Sequence, residues 1–374
     1  MNFDLLPEQS ELRDSVRKFC EKKYDFLTRH KILTSKTGMS PGFWSGIADL
    51  GWLGAGLSED QGGFGGGALE NMLILEQFGR ALVLEPFLSS AVIASQAIAA
   101  QGSVPQCETL LPPLIEGKRI AVLAHNEPGR APDNPVITTA RAAGNGIALN
   151  GRKSFILGGP SADLILLSAI SDDGKIGLFV VEPECPGLQR IDYNAVDGRR
   201  VSDFVLTDVR ISADARIGAA DAMAAIQHAL DHGVIGLCAE AVGAMDVALA
   251  TTRDYISARK QFGVALSTFQ ALQHRMADMH VEAVLARSML YRGIAALTMP
   301  DGRDRQREIS AVKSCIAEAG YFIGAQSIQL HGGIGITEEY TIGHYFKRLV
   351  LARNLFGNSD AHLARFVCLS GPEW

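Results

Sequence analysis

The sequence predicts an α+β fold in which a helical region, a small β-domain and a second helical region follow one another. Three observations support this prediction: a helical hydrophobic period over the first 118 residues, short punctuated apolar runs at 119–217, and the return of the helical period towards the C-terminus. With 374 residues, the chain is also too long for one ordinary hydrophobic core. We therefore expect three domains, at 1–118, 119–217 and 218–374.

The N-terminal region carries apolar residues at helical spacing. Leu12, Val16 and Phe19 lie on one face of the first predicted helix, and further helical runs cover 41–50 and 69–81. This pattern predicts an all-helical N-terminal domain.

Two segments of this region could be mistaken for functional motifs. The glycine-rich run 51–67 superficially offers a phosphate loop, but a dinucleotide-binding loop follows a strand, and this run lies between helices. We interpret it as an interhelical loop. The apolar run 88–100 is too short to span a bilayer and predicts a buried helix, and we expect no membrane span.

Short apolar runs separated by Gly, Asp, Asn and Pro predict a small antiparallel β-domain in the middle of the chain. The runs are 120–124, 146–150, 164–168, 177–181 and 204–206.

Four long helical segments follow Asp221 and predict a C-terminal four-helix bundle. They cover about 221–257, 268–298, 304–330 and 338–369.

The composition excludes several classes of protein. A net charge of −6 with 47% hydrophobic residues argues against nucleic-acid binding. The N-terminus has acidic residues and a proline where a signal peptide needs a basic start, so we expect a cytoplasmic protein. The six cysteines and the histidines show no metal-site spacing, so we expect no metal and reduced, mostly buried thiols.

Two motifs in the last third of the chain resemble signatures of the acyl-CoA dehydrogenase family. They are Tyr255-Ile-Ser-Ala-Arg-Lys-Gln-Phe-Gly-Val-Ala-Leu-Ser-Thr-Phe-Gln270 and Gln329-Leu-His-Gly-Gly-Ile-Gly-Ile-Thr-Glu-Glu-Tyr340. The resemblance extends over the whole chain, because the α–β–α order and domain lengths also match. Within the family, 237–245 and 344–349 look most like the small subunits of pimeloyl-CoA dehydrogenases.

The resemblance implies FAD as cofactor. The guanidinium of Arg259 would bind the pyrophosphate by paired hydrogen bonds, and the glycine pair would permit close backbone approach. Because these segments reach across a subunit interface in the family, an oligomer is implied. The implied FAD contacts are Arg259, Gln261, Phe262, Phe269, Gln270, Gln329, His331, Gly332 and Gly333. Standing alone, Arg259 could be a surface arginine paired with an acid, and His331 a helix-end histidine.

The catalytic base of the family is missing from both of its known positions. A glutamate would remove the Cα proton of an acyl-CoA while the hydride passes to the flavin. One family position falls on Gly357 in this sequence and the other on Gly233 and Val234. The sequence therefore leaves the catalytic residue unknown.

Two nearby acids are possible substitutes. Asp231 matches an aspartate that holds the pantetheine arm of CoA in relatives, which makes it a candidate substrate contact. Glu240 lies among apolar residues, where a buried carboxylate would have a raised pKa. We favour an ion pair between Glu240 and a basic residue on a neighbouring helix, for example Arg275 or Lys313.

The flavin-ring side also departs from the family pattern. The family's Gly-Ser pair is absent from 125–133, and Leu157 replaces the hydroxyl that contacts flavin N5. The resemblance therefore implies a chain that contributes to FAD binding while a partner supplies much of the chemistry.

Our leading hypothesis is the small β-type subunit of a heteromeric acyl-CoA dehydrogenase, an α2β2 heterotetramer in fatty or dicarboxylic acid degradation. The implied partners are a larger acyl-CoA dehydrogenase subunit, the acyl-CoA substrate, and an electron-transfer flavoprotein or similar acceptor. A self-sufficient homo-oligomeric enzyme with a displaced base, Asp231 or Glu240, is one alternative. The other is a non-redox scaffold that retains the fold.

Overall fold

The structure is a computed structural model that describes residues 5–129 and 135–371. In these ranges the helices α1 to α11 are Pro7–Lys23, Phe26–Thr34, Pro41–Asp49, Ala68–Ala81, Ser95–Gln101, Val104–Ile115, Met223–Ala258, Gln270–Leu297, Arg303–His331, Thr341–Asn354 and Ser359–Ser370. The strands β1 to β10 are Ala121–Ala124, Thr139–Ala143, Gly146–Leu157, Leu164–Ile170, Ile176–Val181, Leu188–Asn194, Arg200–Ser212, Arg216–Ile217, Lys260–Gln261 and Val264–Ala265. This order confirms the predicted α–β–α fold class.

The described residues pack into two compact units. The helical unit contains residues up to 30, 72–83 and the chain from 234 onwards. The sheet unit contains 31–71 and the described part of 84–233. The glycine-rich run 51–67 connects α3 to α4, as predicted for an interhelical loop.

The sheet of the second unit is mixed, whereas the sequence predicted an antiparallel one. Its strand order is β6-β7-β3-β2-β4-β5-β8, with β1 beside β4. β1 runs parallel to β4 because a long connection, which contains β2 and β3, returns the chain in the same direction. Four of the five predicted runs lie within strands, the run 120–124 begins one residue before β1, and β2, β6 and β8 were not predicted.

A buried ion pair lies inside the sheet unit. Lys153 is fully buried, and its Nζ atom lies 2.8 Å from the carboxylate of Glu127. The same Nζ atom also donates to the backbone oxygen of His125 and to the hydroxyl oxygen of Ser168. Burial lowers the pKa of Lys153 to about 8. Burial opposes ionisation of Glu127 as well, but hydrogen bonds from Lys153 and Thr138 lower its pKa to about 2.

The helical unit contains a close crossing of α4 and α7. A Cβ atom on Gly79 would lie 2.0 Å from the backbone oxygen of Glu240, and one on Gly243 would lie 2.0 Å from that of Glu76. Only glycine therefore allows the two backbones to approach this closely.

Helix α7 is long and apolar enough to cross a membrane by length and composition alone. In its most apolar window, 78% of the residues are buried inside the protein. This burial is typical of a core helix.

The last predicted helix, 338–369, is two helices. α10 ends at Asn354 and α11 begins at Ser359, because Phe356 and Gly357 both have positive φ angles, of 60° and 98°.

The prediction that the cysteine thiols are mostly buried was wrong, since of the six cysteines only Cys20 and Cys238 are buried.

Removing the carboxylate of the buried pair tests its structural role. We expect Glu127→Gln to lower the free energy of unfolding by about 3–5 kcal/mol, because the buried ammonium of Lys153 loses its counter-charge. Urea denaturation at pH 7 measures the loss. Glu182→Gln is the matched control, because its 2.9 Å pair with Arg119 is solvent-exposed and contributes at most about 1 kcal/mol.

The same pair predicts a pH dependence of stability. The pKa of Glu127 is lower in the folded protein than its ordinary value of 4.5, so its stabilisation is present above pH 4.5 and is lost as the pH falls towards 2. Glu127→Gln should lack this part of the acid dependence. Equal urea midpoints for the Glu127 and Glu182 variants would contradict a structural role for the pair.

Candidate functional site

The Arg259 segment forms a short hairpin directly after α7. β9 and β10 pair through a turn in which Phe262 and Gly263 have positive φ angles of 54° and 82°. A phenylalanine in this backbone region is strained, and the side chain of Phe262 is nevertheless 93% exposed. A strained, exposed aromatic residue indicates a contact surface for a ligand or another chain.

The other predicted contacts of this segment are also accessible. Arg259, Gln261 and Gln270 are exposed, and Phe269 is partly buried with its ring edge-on to that of Phe262. These groups lie close together in sequence and all belong to the hairpin or the first turn of α8.

The second predicted segment begins at the C-terminal end of α9. Gln329, Gly332 and Gly333 are exposed, and no atom lies within 4 Å of a Cβ placed on either glycine. Gly332 has a φ angle of 64° and ends the helix. The open space beside the glycine pair is suited to close approach by a ligand.

The structure brings the two predicted segments together through a contact that the sequence analysis missed. Tyr255 on α7 stacks on His331 at the end of α9, with ring centroids 4.3 Å apart, and its hydroxyl donates to the backbone oxygen of His331 at 3.3 Å. Tyr340 packs against both rings. The Tyr255–His331 stack therefore connects the segment that contains Arg259 to the segment that contains Gly332.

His331 is less accessible than its predicted role suggests. Its side chain is 3% exposed, and its Nδ1 atom lies 2.8 Å from the backbone oxygen of Ser327. Burial lowers the pKa of His331, so the ring is neutral near pH 7. In this structure His331 can position the glycine segment, and a direct cofactor contact remains a prediction.

Electrostatics explains the need for Arg259. Two helices, α7 and α9, end at this site, and helix C-termini carry partial negative charge. Phosphate groups are usually bound at helix N-termini, which carry the opposite sign. The guanidinium of Arg259 would offset the negative helix ends, and binding of the pyrophosphate half of FAD by these segments remains a prediction.

The two family positions of the catalytic base carry no carboxylate. Gly357 lies in the loop between α10 and α11, where His362 Nε2 donates to the backbone oxygen of Phe356 at 2.9 Å. Glu318 on α9 binds both Arg353 and Ser359, on either side of this loop. The loop is therefore held in place without an acid at position 357.

Both candidate replacement acids are buried in α7. Glu240 is 4% exposed and lies 3.6 Å from Arg348, which confirms an ion pair but with a different partner from the examples predicted. Lys313 instead donates to the backbone oxygens of Ala352 and Arg353, and Arg275 donates to Gln326. Lys313 therefore caps the end of α10.

Asp231 and Gly233 lie in the first part of α7. Asp231 is 2% exposed and accepts a hydrogen bond from Gln227 Nε2 at 2.8 Å. A direct contact of Asp231 with a pantetheine arm remains a prediction.

The flavin-ring side of the sheet unit has no hydroxyl at Leu157. Leu157 is 8% exposed and pairs with Val201, and the cavity beside it has a volume of about 10 Å³, enough for one water molecule. This cavity cannot hold a flavin ring. Part of the preceding 125–133 segment lies outside the described residues.

A large apolar groove lies on the helical unit between α7 and α8. Its volume is about 900 Å³, and Leu249, Ile256, Met276 and Val284 contribute to its walls. No group of three or more His, Cys, Asp or Glu side chains placed to hold a metal occurs in the described ranges.

Comparison with known proteins identifies the class. Residues 6–118 match the N-terminal domain and residues 222–366 the C-terminal domain of acyl-CoA dehydrogenases. The probable acyl-CoA dehydrogenase YngJ of Bacillus subtilis is 30% identical over 98% of both chains. The fold and these matches define an acyl-CoA dehydrogenase-type flavoprotein.

Solved structures agree with this class. The acyl-CoA dehydrogenase from Geobacillus kaustophilus is 26% identical and superposes with a TM-score of 0.90. The match covers 99% of this chain and 100% of that chain. A variant of the Tcur3481-Tcur3483 steroid ACAD is 29% identical over 97% of both chains, with a TM-score of 0.88. The chain belongs to the acyl-CoA dehydrogenase family, a family of oxidoreductases.

Substitution of Gly333 by alanine tests whether the second predicted segment contacts FAD. We expect Gly333→Ala to weaken FAD binding by about tenfold or more, because the added Cβ occupies the open space without a clash inside the chain. Flavin fluorescence titration of the protein purified together with the hypothesised larger subunit measures the affinity. Gly42→Ala is the matched control, since its Cβ also meets no atom within 4 Å. Unchanged FAD affinity in both variants would contradict the assignment.

Proposed function

We propose that this chain is the small subunit of a heteromeric, FAD-dependent acyl-CoA dehydrogenase, an α2β2 assembly. Its larger partner supplies the catalytic glutamate and the flavin-ring contacts. This chain supplies the Arg259 hairpin and the Gly332-Gly333 segment. Bound FAD provides the hydride acceptor for α,β-dehydrogenation of the acyl-CoA thioester.

The observation that carries the proposal is the contrast between the two halves of the expected site. Arg259, Gln261 and the glycine pair are exposed and available, whereas the base positions Gly357 and Gly233 have no side chain. Without a carboxylate at these positions, the family's proton removal needs another source of base.

The two candidate replacement acids, Asp231 and Glu240, support the proposal because each is buried and contacts another side chain of this chain. Glu240 lies 3.6 Å from Arg348, so its buried carboxylate belongs to an ion pair between two helices. Asp231 is almost fully buried beside Gln227.

The groove between α7 and α8 is the surface proposed for the larger subunit. Val281, Val284 and Leu285 on α8 are 50–55% exposed, and large exposed apolar patches mark protein interfaces. The strained Phe262 hairpin precedes the same helix. The relative Tcur3481-Tcur3483 carries two component names, which is consistent with an assembly of two chains.

The proposed substrate is a medium-chain dicarboxylyl-CoA such as pimeloyl-CoA, and the proposed acceptor is an electron-transfer flavoprotein in the cytoplasm. This choice rests on the resemblance of 237–245 and 344–349 to small subunits of that kind.

Expression of the chain alone and with an adjacent larger-subunit gene tests the proposal. We expect the lone chain to be inactive, and the co-expressed pair to bind FAD and to oxidise an acyl-CoA. A lone chain that forms a homo-oligomer, binds one FAD per chain and oxidises an acyl-CoA contradicts the proposal. Colourless protein in the presence of the partner indicates a non-redox scaffold.

Two isosteric variants distinguish the proposed heteromeric enzyme from the self-sufficient alternative, in which Asp231 or Glu240 is the base. In the co-expressed enzyme, Asp231→Asn and Glu240→Gln should leave kcat within about tenfold of wild type, because neither residue is the base. A true base should lose about 10²–10⁴-fold in the rate of flavin reduction. Stopped-flow absorbance of the flavin measures that rate.

A charge in the groove tests the proposed docking surface. We expect Val284→Glu to abolish co-purification with the larger subunit, because burying an unpaired carboxylate in an apolar interface is strongly unfavourable. Val104→Glu is the matched control, since Val104 is 72% exposed and does not line the groove. Co-purification of the Val284 variant at the wild-type level would place the partner elsewhere.

A further inference from the structure

A second cavity in the helical unit lies apart from the Arg259 and Gly332-Gly333 segments. Its volume is about 250 Å³, and residues of α1, α2, α4, α7 and α10 surround it. Among the described residues, its wall contains the arginine side chains Arg17, Arg29 and Arg80, from three different helices, and a single acidic residue, Glu21. The excess of positive charge favours an anion inside the cavity.

Arg29 is the buried member of the three arginines. It is 1% exposed, its Nε atom donates to the backbone oxygen of Leu82 at 3.1 Å, and its Nη1 atom lies 3.2 Å from His344 Nδ1. These contacts hold the guanidinium in a fixed orientation at the cavity wall. A fixed guanidinium loses little conformational freedom when it binds a ligand.

His344 accepts the hydrogen bond from Arg29 as a neutral ring. Its Nε2 atom donates to the backbone oxygen of Glu338 at 3.0 Å, which leaves Nδ1 as the acceptor. Burial, and to a lesser degree the charge of Arg29, lower the pKa of His344. The ring therefore adds no second positive charge beside Arg29 near pH 7.

Within the described part of the chain, Arg17 and Arg80 retain hydrogen-bond donors that their ion pairs do not use. Arg17 lies 3.5 Å from Asp14, and Arg80 lies 3.1 Å from Asp246, which also binds Arg287. A guanidinium has five N–H donors, and these single contacts occupy few of them. Donors on two half-exposed arginines are thus available to a ligand, in addition to the fixed Arg29.

We propose that this cavity binds a small oxyanion, either a carboxylate or a phosphate. The guanidinium fork matches both groups by paired hydrogen bonds. The cavity is smaller than the 300–1,000 Å³ of sites for drug-sized ligands, which restricts the ligand to a small metabolite or inorganic anion. This site is independent of the proposed dehydrogenase function, because it contains none of the residues assigned to FAD or to the larger subunit.

Isothermal titration calorimetry of the full chain with inorganic phosphate, succinate and acetate tests the site, with sodium chloride holding the ionic strength constant. We expect saturable binding of one oxyanion per chain. Binding of phosphate alone identifies a phosphate site, and binding of succinate or acetate alone identifies a carboxylate site. Absence of saturable binding of all three anions overturns the proposal.

Arg17→Gln and Arg13→Gln form a matched pair. Both arginines lie on α1 beside Asp14, with side-chain exposures of 48% and 42%, but only Arg17 lines the cavity. We expect Arg17→Gln to weaken binding by about tenfold and Arg13→Gln to have no effect. Equal weakening in the two variants means a general charge effect and overturns the site.

Arg80→Gln provides a second, independent variant, because Asp246 keeps its contact with Arg287. We expect it to weaken binding to a similar degree. Thermal unfolding without anion confirms that each variant is folded before it is titrated. Binding by the folded Arg80 variant at wild-type affinity contradicts the proposed role of this guanidinium.

Discussion

The contact between the backbones of α4 and α7 is the constraint on which the helical unit depends. At Gly79 and Gly243 the opposing carbonyl oxygens occupy the space of a side chain, so the helices touch main chain to main chain. Arg287 binds Glu76 and Asp246 across the same crossing. This crossing sets the position of α7, and α7 carries the hairpin at its C-terminal end.

Two separate attachments to α9 hold the Arg259 hairpin and the loop around Gly357 in place. The Tyr255–His331 stack joins the hairpin to the end of α9. The loop around Gly357 is attached to the middle of the same helix through Glu318. Among these described residues the two attachments use different side chains, so the residue at position 357 can differ without any change in the contacts that hold the hairpin.

The sequence predicted most elements because their signals are local. Hydrophobic periodicity located the long helices, and punctuated apolar runs located five strands. The strand Thr139–Ala143 was missed because the apolar positions in its sequence, Thr-Ala-Arg-Ala-Ala, are all alanine, a residue that is depleted in strands. The break near Gly357 had a local signal, a glycine followed by the N-cap Asn358. The pairing of Glu240 with Arg348 had no local signal in the sequence, because 107 residues lie between them along the chain.

The turn at Phe356 and Gly357 restricts which residues can occupy position 357. Two successive left-handed residues occupy it, and at a φ angle of 98° any side chain at position 357 strains the backbone. A glutamate placed at position 357 would therefore force the turn to change its backbone conformation. A single Gly357→Glu substitution is thus not enough to place a carboxylate in this loop without strain, and the residues around it must change as well.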